Sequence, residues 1–272
     1  MKPHASQPIG LFDSGVGGLT VARAISHLLP LETLIYFGDT AHMPYGERST
    51  EHIILYSTRI AEFLVERGAK MLVIACNSAS AVAFDVLREK YKGKLDVVGV
   101  IVPVVNYLLE HDFHKIGIIG TKATISSQQH EKRLKLAKPN QAVAAVPTPL
   151  LAAMVEEGFI NNDISRSVIN AYLSDKSLQH IDAIVLACTH YPLIKNDIEQ
   201  FYKHQVAVID TTEIVAEAVK QSLQKTHLLT KQREAPDRFF VSEYTDAFEK
   251  TARLFYGEAV QIEEVDLWNE TA

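Results

Sequence analysis

The chain has 272 residues, of which 47% are hydrophobic and 22% charged, and its net charge at pH 7 is −6. This size accommodates one large α/β domain or two smaller ones. The acidic balance argues against a nucleic-acid-binding surface, which normally carries a basic excess. Residues 1–8 lack the apolar core of a signal peptide, and the longest uncharged stretch, residues 139–155, is too short to span a bilayer. We therefore expect a cytoplasmic protein with no membrane segment and no nucleic-acid partner.

Apolar runs alternate with amphipathic stretches along the chain. The apolar runs predict strands at residues 9–13, 33–39, 71–76, 96–101, 115–120, 142–146, 184–188, 205–210, 239–241 and 260–264. Helices are predicted at 19–29, from 49 to about 67, from 77 to about 91, near Pro103, from 121 to about 137, at 150–157, 163–174, after Pro192, at 211–224 and at 245–256. This alternation indicates an α/β fold of mostly parallel sheets flanked by helices.

The pattern also repeats. Almost the same number of residues separates Ile9 from Ile116 as separates Cys76 from Cys188. We therefore expect two pseudo-symmetric α/β domains. Residues 1–99 together with 209–272 would form the first, which carries Asp13 and Cys76, and residues 100–208 would form the second, which carries Cys188 and His190.

A glycine-rich turn follows the first predicted strand and raises the question of a nucleotide site. Gly15-Val16-Gly17-Gly18 resembles part of a dinucleotide-binding fingerprint, with Asp39 where a ribose acid could lie. The third glycine of that fingerprint is missing, because position 20 is Thr, and Asp13 puts a negative charge where a pyrophosphate would approach. The chain has no Gly-Lys-Ser/Thr phosphate loop. A nucleotide cofactor is therefore disfavoured.

Cys76 and Cys188 are the only cysteines, and each ends an apolar run. A cysteine in such a run is usually a small buried hydrophobic residue. Here both thiols end predicted strands, where ligands bind in open α/β sheets, and both precede a predicted helix, whose N-terminus favours a thiolate. Two cysteines without paired ligand spacing make a poor metal site, and a structural disulfide is not expected in the cytoplasm.

Two thiols in mirrored positions suit one particular reaction. Inverting a carbon centre requires a base on one face and an acid on the other, and two thiols facing each other supply both. Asp13 lies at the end of the first strand and could assist Cys76, while His190 lies two residues after Cys188 and could assist that thiol. Taken singly, a His or Asp at a strand end is more often a cap or a polar contact, so the hypothesis depends on both occurring at the same sheet edge.

Five stretches resemble bacterial glutamate racemases in the same chain order: residues 13–18 (Asp-Ser-Gly-Val-Gly-Gly), 38–40 with 44–46 (Gly-Asp-Thr and Pro-Tyr-Gly), 75–79 (Ala-Cys-Asn-Ser-Ala), 120–124 (Gly-Thr-Lys-Ala-Thr) and 188–192 (Cys-Thr-His-Tyr-Pro). The resemblance implies a cofactor-independent enzyme that interconverts L- and D-glutamate and supplies D-glutamate for peptidoglycan. It also implies an active site in the cleft between two domains. A homodimer is common in that family.

The resemblance also implies roles for single residues. Cys76 would take the α-proton from D-glutamate and Cys188 from L-glutamate, with Asp13 assisting Cys76 and His190 assisting Cys188. Glu156 is a further candidate near Cys188, with Glu157 as the alternative. The substrate's amino and carboxylate groups would be held by Ser14, Tyr45, Gly46, Asn77, Ser78, Thr121, Thr124 and Thr189. The family usually has Thr where this chain has Ser78, so a hydroxyl is kept and a methyl is lost.

Two other functions remain open at this point. A related two-cysteine racemase or isomerase, acting on aspartate, a hydantoin or a maleate-like acid, would share the fold and the paired thiols. A small-molecule binding module, in which both cysteines are core residues, would share only the fold. Exchange of the α-proton of glutamate or aspartate with deuterated solvent distinguishes the three.

Overall fold

The structure is a computed structural model that describes residues 3–257 and 260–269. In this part of the chain the strands are β1 Ile9–Asp13, β2 Leu34–Gly38, β3 Met71–Ile74, β4 Asp96–Gly99, β5 Lys115–Gly120, β6 Ala142–Pro147, β7 Ala183–Ala187, β8 Ala207–Ile209, β9 Arg238–Val241 and β10 Ile262–Glu264. The α-helices are α1 Leu19–Leu28, α2 Thr50–Glu66, α3 Asn77–Lys90, α4 Ile101–Leu109, α5 Lys122–Ser127, α6 Gln129–Ala137, α7 Pro149–Glu156, α8 Asp163–Leu173, α9 Lys195–Phe201, α10 Thr211–Lys225 and α11 Asp246–Tyr256.

The strands form two parallel sheets with matching strand orders. One sheet runs β10-β9-β2-β1-β3-β4 and the other β6-β5-β7-β8. The order β2-β1-β3-β4 in the first sheet corresponds to β6-β5-β7-β8 in the second. In each sheet the first strand of the set (β1 or β5) lies between the second strand (β2 or β6) and the third (β3 or β7). The α/β class with parallel sheets is thus confirmed. Where the strand order reverses, the carboxyl ends of the central strands leave a crevice in which α/β proteins bind ligands.

The central strands are apolar because helices cover both of their faces. Every residue of β1, β3 and β7 is buried, as expected for parallel strands between two helical layers. Helix α10 follows the last strand of the second sheet and packs on α1, which follows the first strand of the first sheet. The two sheets therefore share helical packing next to the carboxyl ends of β1 and β7.

The last segment of the chain lies against the first sheet. Strand β9 pairs with β2 and β10 pairs with β9, both in parallel. The predicted domain boundaries, residues 1–99 with 209–272 and residues 100–208, stay a prediction, and their residues 1–2, 258–259 and 270–272 lie outside the described part. No helix within that part is long and apolar enough to cross a membrane.

Three predicted elements have different limits in the structure. The strand predicted at 96–101 ends at Gly99, because the Val100 amide donates to the Ser80 hydroxyl at 3.0 Å and helix α4 starts at Ile101. The helix predicted from 121 to 137 is two helices, since Gln128 has a left-handed conformation (φ 55°). Residues 191–194, after Cys188, form a 3₁₀ turn that precedes α9.

Candidate active site

The carboxyl ends of the two sheets meet through contacts between small polar residues. The Thr20 hydroxyl, at the start of α1, donates to the Thr189 carbonyl at 3.1 Å. The Ser78 hydroxyl, in the first turn of α3, lies 2.8 Å from the Thr121 hydroxyl that caps α5. A Cβ at Gly46 would lie 2.7 Å from the Thr121 Cβ. These contacts bring residues that follow β1, β2 and β3 against residues that follow β5 and β7.

Cys76 is the N-cap residue of α3 rather than the last residue of β3, which ends at Ile74. Its sulfur accepts a hydrogen bond from the Ala79 amide at 3.4 Å, and the thiol donates to the Ser14 hydroxyl at 3.8 Å. The side chain is buried. Burial, reinforced by the carboxylate of Asp13, raises the pKa of the Cys76 thiol to about 12. Cys76 is therefore a protonated thiol at neutral pH.

Asp13 ends β1 and is completely buried beside the glycine-rich turn. Its Oδ2 accepts from the Gly15 amide at 3.2 Å, while Oδ1 has no hydrogen-bond partner among the described residues. Burial raises the pKa of Asp13, and the nearby His190 charge and backbone amides oppose this effect. A buried carboxylate oxygen without a donor is costly, and a ligand entering the crevice could supply one.

Cys188 directly follows β7 and lies in a hydrogen-bonded chain with His190 and Glu156. The imidazole Nδ1 of His190 is 3.6 Å from the Cys188 sulfur, and Nε2 is 2.7 Å from the Glu156 Oε1. Burial lowers the pKa of His190, but the Cys188 and Glu156 contacts outweigh this and raise it to about 10. The imidazole is then an imidazolium at neutral pH, with both nitrogens donating. Glu157, the alternative to Glu156, is an exposed residue at the end of α7.

The predicted substrate-binding residues fall into three groups. The hydroxyls of Ser78, Thr121 and Thr124 lie within 2.8 to 3.5 Å of one another. Asn77 is buried, and neither atom of its amide group has a partner in the described part of the chain. Thr189, close to His190 Nδ1 at 3.5 Å, and Ser14 lie beside the two thiols.

Tyr45 differs from the other predicted contacts because its hydroxyl is already engaged. It donates to Asp39 Oδ2 at 2.6 Å, and the side chain is fully buried. Burial and the Asp39 carboxylate raise the pKa of Tyr45 well above its usual value. The phenol is therefore neutral and its proton is donated to Asp39, so that the backbone of Tyr45 and Gly46 is the part of this turn left to contact a substrate.

Two residues of the quoted stretches, Gly17 and Asp39, were given no role at this site by the sequence reasoning. A Cβ at Gly17 would lie 2.3 Å from the Thr189 hydroxyl and 2.5 Å from the His190 ring, so the glycine allows α1 to approach the second sheet. Asp39 was weighed as a ribose ligand and quoted in the Gly-Asp-Thr stretch, but its hydrogen bond from the Tyr45 hydroxyl was not predicted. The Gly-Asp-Thr motif signalled Asp39, whereas the contact of Gly17 depends on the three-dimensional packing.

Several observations bear on cofactors and on access. Among residues 3–257 and 260–269, no three His, Cys, Asp or Glu side chains are grouped as metal ligands would be. The amine of Lys122 forms an exposed ion pair with Glu47 at 3.0 Å.

A cavity of about 760 Å³ lies between α1, α10 and Phe255, but neither thiol lines it. Both cysteines are only 5% exposed, so a substrate requires the crevice to open.

Comparison with known proteins places these features in a family. The sequence profile described as Asp/Glu/Hydantoin racemase matches residues 19–219, well over half of the chain. The chain belongs to the Asp/Glu/Hydantoin racemase family. The proteins of this racemase family that resemble it include a glutamate racemase from Picosynechococcus, 37% identical over 269 residues, which span 99% of this chain and 95% of the relative.

Two further racemases extend the similarity. A glutamate racemase from Neisseria meningitidis serogroup C is 39% identical over 264 residues, which cover 96% of this chain and 97% of that protein. The crystal structure of Francisella tularensis glutamate racemase, in complex with D-glutamate, superposes with a TM-score of 0.91. It is 34% identical and covers 97% of this chain and 99% of its own. The fold of this racemase is thus that of glutamate racemases.

Proposed function

We propose that this protein is a glutamate racemase that inverts Cα of glutamate by proton transfer between two thiols. The observation that carries the proposal is the pairing of Cys76 and Cys188 at the carboxyl ends of two matching sheets, each beside its own ionisable group. The full-length similarity to glutamate racemases supports glutamate as the substrate. The product D-glutamate would serve peptidoglycan synthesis.

The reaction begins with different protonation states of the two thiols. Burial keeps Cys76 protonated, since its pKa is about 12. In the proposed reactive state the proton of the second thiol lies on His190, whose Nδ1 is 3.6 Å from the Cys188 sulfur. This state is prepared to accept a proton from L-glutamate at Cys188 and to donate one from Cys76. The opposite direction requires the reverse arrangement, in which Asp13 takes the proton of the Cys76 thiol, the Cys76 thiolate removes the α-proton of D-glutamate and the Cys188 thiol donates a proton to the other face.

Atoms and charge balance in the step from L- to D-glutamate. The Cys188 thiolate forms an S–H bond as the Cα–H bond breaks, and the electron pair stays on Cα and spreads into the adjacent carboxylate. The Cys76 thiol then transfers its proton to the opposite face of Cα and becomes a thiolate. Release of D-glutamate and exchange of protons with solvent restore the starting state.

The carbanion needs donors that are already in place, because reorganising water would cost more than fixed dipoles. The side-chain amide of Asn77 has no partner among the residues that the structure describes, and the Ser78–Thr121–Thr124 hydroxyl cluster joins the two halves of the crevice. These groups would bind the substrate carboxylates and amine. Asn77 follows Cys76 at the start of α3, where backbone N–H groups favour negative charge.

The experiment is incubation of the purified protein with D-glutamate in D₂O. Deuterium at Cα, measured by NMR, together with loss of optical rotation is the expected result. Exchange with aspartate but not glutamate would assign the activity to aspartate, and exchange with neither would leave the binding module as the better description. Omission of any added cofactor is part of the design, because the two thiols are proposed to act without one.

The setting of the enzyme is a further part of the proposal. We place it in the cytoplasm, where both cysteines would remain free thiols, as they are in the structure. The homodimer is proposed only because dimers are common among glutamate racemases, and light scattering after size-exclusion chromatography would test it. A mass equal to that of one chain would refute the dimer.

A further inference from the structure

Asp39 lies just beyond the end of β2, outside the set of residues proposed to touch the substrate. It is fully buried and receives hydrogen bonds from four different side chains. Oδ2 accepts from the Tyr45 hydroxyl at 2.6 Å and from His42 Nδ1 at 3.0 Å. Oδ1 accepts from the Ser242 hydroxyl at 2.8 Å and from the indole Nε1 of Trp268 at 3.1 Å. A carboxylate with this many donors fixes the groups around it.

Two of these donors come from the distant C-terminal part of the chain. We call residues 265–269 the C-terminal strap. The strap continues from β10, and its Val265 amide donates to the Val241 carbonyl at 2.9 Å. Leu267 is buried in the core below β2 and β9. The strap is therefore anchored independently of Trp268, whose indole extends from it toward Asp39.

Trp268 also packs on the loop that leads to Tyr45. Its ring meets the His42 ring edge-on at 4.5 Å and the Tyr56 ring at 5.2 Å, while His42 stacks on Tyr56 at 3.9 Å. The indole thus contacts the loop from outside while Asp39 holds it from inside. The loop between β2 and α2 is clamped between these two residues.

The clamped loop is a wall of the proposed substrate site. Residues Tyr45–Glu47 form a 3₁₀ turn, and Gly46 meets Thr121 so closely that a Cβ would lie 2.7 Å from the Thr121 Cβ. Thr121 in turn contacts Ser78, two residues from Cys76. A shift of the turn by a fraction of an ångström would change the distance between the backbone of Gly46 and a bound substrate.

From this juxtaposition we infer that Asp39 and Trp268 are positioning residues that hold the Tyr45–Glu47 turn in its substrate-binding position. The inference rests on the proposed glutamate racemase activity, since it concerns that site. Neither residue touches the reacting atoms. Their effect is on binding: a displaced turn weakens the complex with glutamate while the thiols and their partners keep their places.

The first test is Trp268→Phe, which removes the indole N–H and keeps an aromatic ring. We expect KM for both enantiomers to rise about five- to tenfold, the equivalent of one hydrogen bond of typical net strength, with kcat changed by less than about twofold. Asp39→Asn should raise KM at least as much. An unchanged KM in both variants, with active wild-type protein, would overturn the inference.

A matched control is Asp182→Asn. Asp182 accepts hydrogen bonds from the His114 and Lys115 amides at 2.6 and 2.8 Å, at the amino-terminal end of β5 and far from the turn. This variant loses a structural carboxylate without a change in KM. A KM increase equal to that of Asp39→Asn would show that general destabilisation is the cause. The double variant Tyr45→Phe/Trp268→Phe should raise KM by less than the product of the two single increases, because both substitutions act on the same turn.

A spectroscopic measurement separates this inference from the proposed function. Trp268 is the single tryptophan of the chain, so its emission reports on the clamp whether or not glutamate is the substrate. Asp39→Ala should shift the emission to longer wavelength and increase quenching by acrylamide, whereas Asp182→Asn should not. Inactive wild-type protein would refute the proposed function alone; an Asp39→Ala emission spectrum identical to the wild type would refute the clamp.

Discussion

Substitution of His190 in variants that retain one thiol would separate the two halves of the proposed proton transfer. With Cys76→Ala, only Cys188 can remove the α-proton, so exchange with solvent is expected for L-glutamate. With Cys188→Ala, only Cys76 remains, and exchange is expected for D-glutamate. We predict that His190→Asn slows the L-glutamate exchange far more than the D-glutamate exchange. The reason is that the imidazole contacts the Cys188 sulfur at 3.6 Å.

The size of the effect follows from that distance. A unit positive charge 3.6 Å from a thiolate contributes about 4–5 kcal/mol at an effective dielectric constant of about 20. Since about 1.4 kcal/mol corresponds to a factor of ten, losing the imidazolium could cost up to about a thousandfold. This agrees with the roughly 10²- to 10⁴-fold range of general acid–base catalysis. Asp13 also senses the His190 charge, so we allow a loss of less than about tenfold on the Cys76 side.

The assay is NMR measurement of α-proton loss from each enantiomer in D₂O, with the two single-thiol proteins and their His190→Asn derivatives compared at one pH. Exchange is measurable because Glu156, which contacts His190, is partly exposed and connects the site with solvent. Racemisation rates cannot show that His190 serves one thiol more than the other. The equilibrium constant of racemisation is one, so kcat/KM must be the same for L- and D-glutamate in every variant. Equal slowing of both exchanges would refute the assignment of His190 to Cys188.

Three other predictions concern packing and stability. Gly17→Ala should abolish turnover and lower the melting temperature, because the new methyl group collides with the buried Thr189 and His190 side chains; full activity would contradict the close approach. Lys70→Met should lower the free energy of unfolding by about 3–5 kcal/mol, because it leaves the buried Glu32 unpaired, and adding Glu32→Gln should recover part of this in denaturant titrations. Burial lowers the pKa of His130 from 6.5 to about 4, so the unfolded chain binds this proton first and stability falls as the pH drops from about 6.5 to 4. His130→Phe should flatten that part of the stability profile, and an unaltered profile would contradict the assignment.

Much of the fold was accessible from the sequence because the strands are buried and continuous. The runs around Cys76 and Cys188 are apolar along their whole length, as central parallel strands require, and the repeat indicated matching sheets. Local interactions were harder to foresee. The strand at Asp96 ends early because Ser80, on another element, captures the Val100 amide. Gln128 interrupts a helix by a left-handed conformation that its sequence does not demand.

The candidate site shows the same division. Asp13, Cys76, Cys188 and His190 could be proposed as site residues from the sequence, because ligands bind at the carboxyl ends of strands in α/β folds. The Tyr45 hydroxyl reaches Asp39, six residues away, only because of how the intervening loop folds, and Trp268 of the C-terminal strap reaches Asp39 across 229 positions of the chain. No local pattern signals such contacts. The helix predicted after Pro192 starts at Lys195, beyond a 3₁₀ turn at residues 191–194, so the group next to the Cys188 sulfur is the His190 imidazole rather than a helix N-terminus.

The most direct test of the two-thiol account is α-proton exchange by Cys76→Ala and Cys188→Ala, each with both enantiomers of glutamate in D₂O. The account predicts that both variants remain folded and lose racemisation, and that Cys76→Ala exchanges only L-glutamate while Cys188→Ala exchanges only D-glutamate. Racemisation at a near-wild-type rate by either variant, or exchange of the same enantiomer by both, would contradict it.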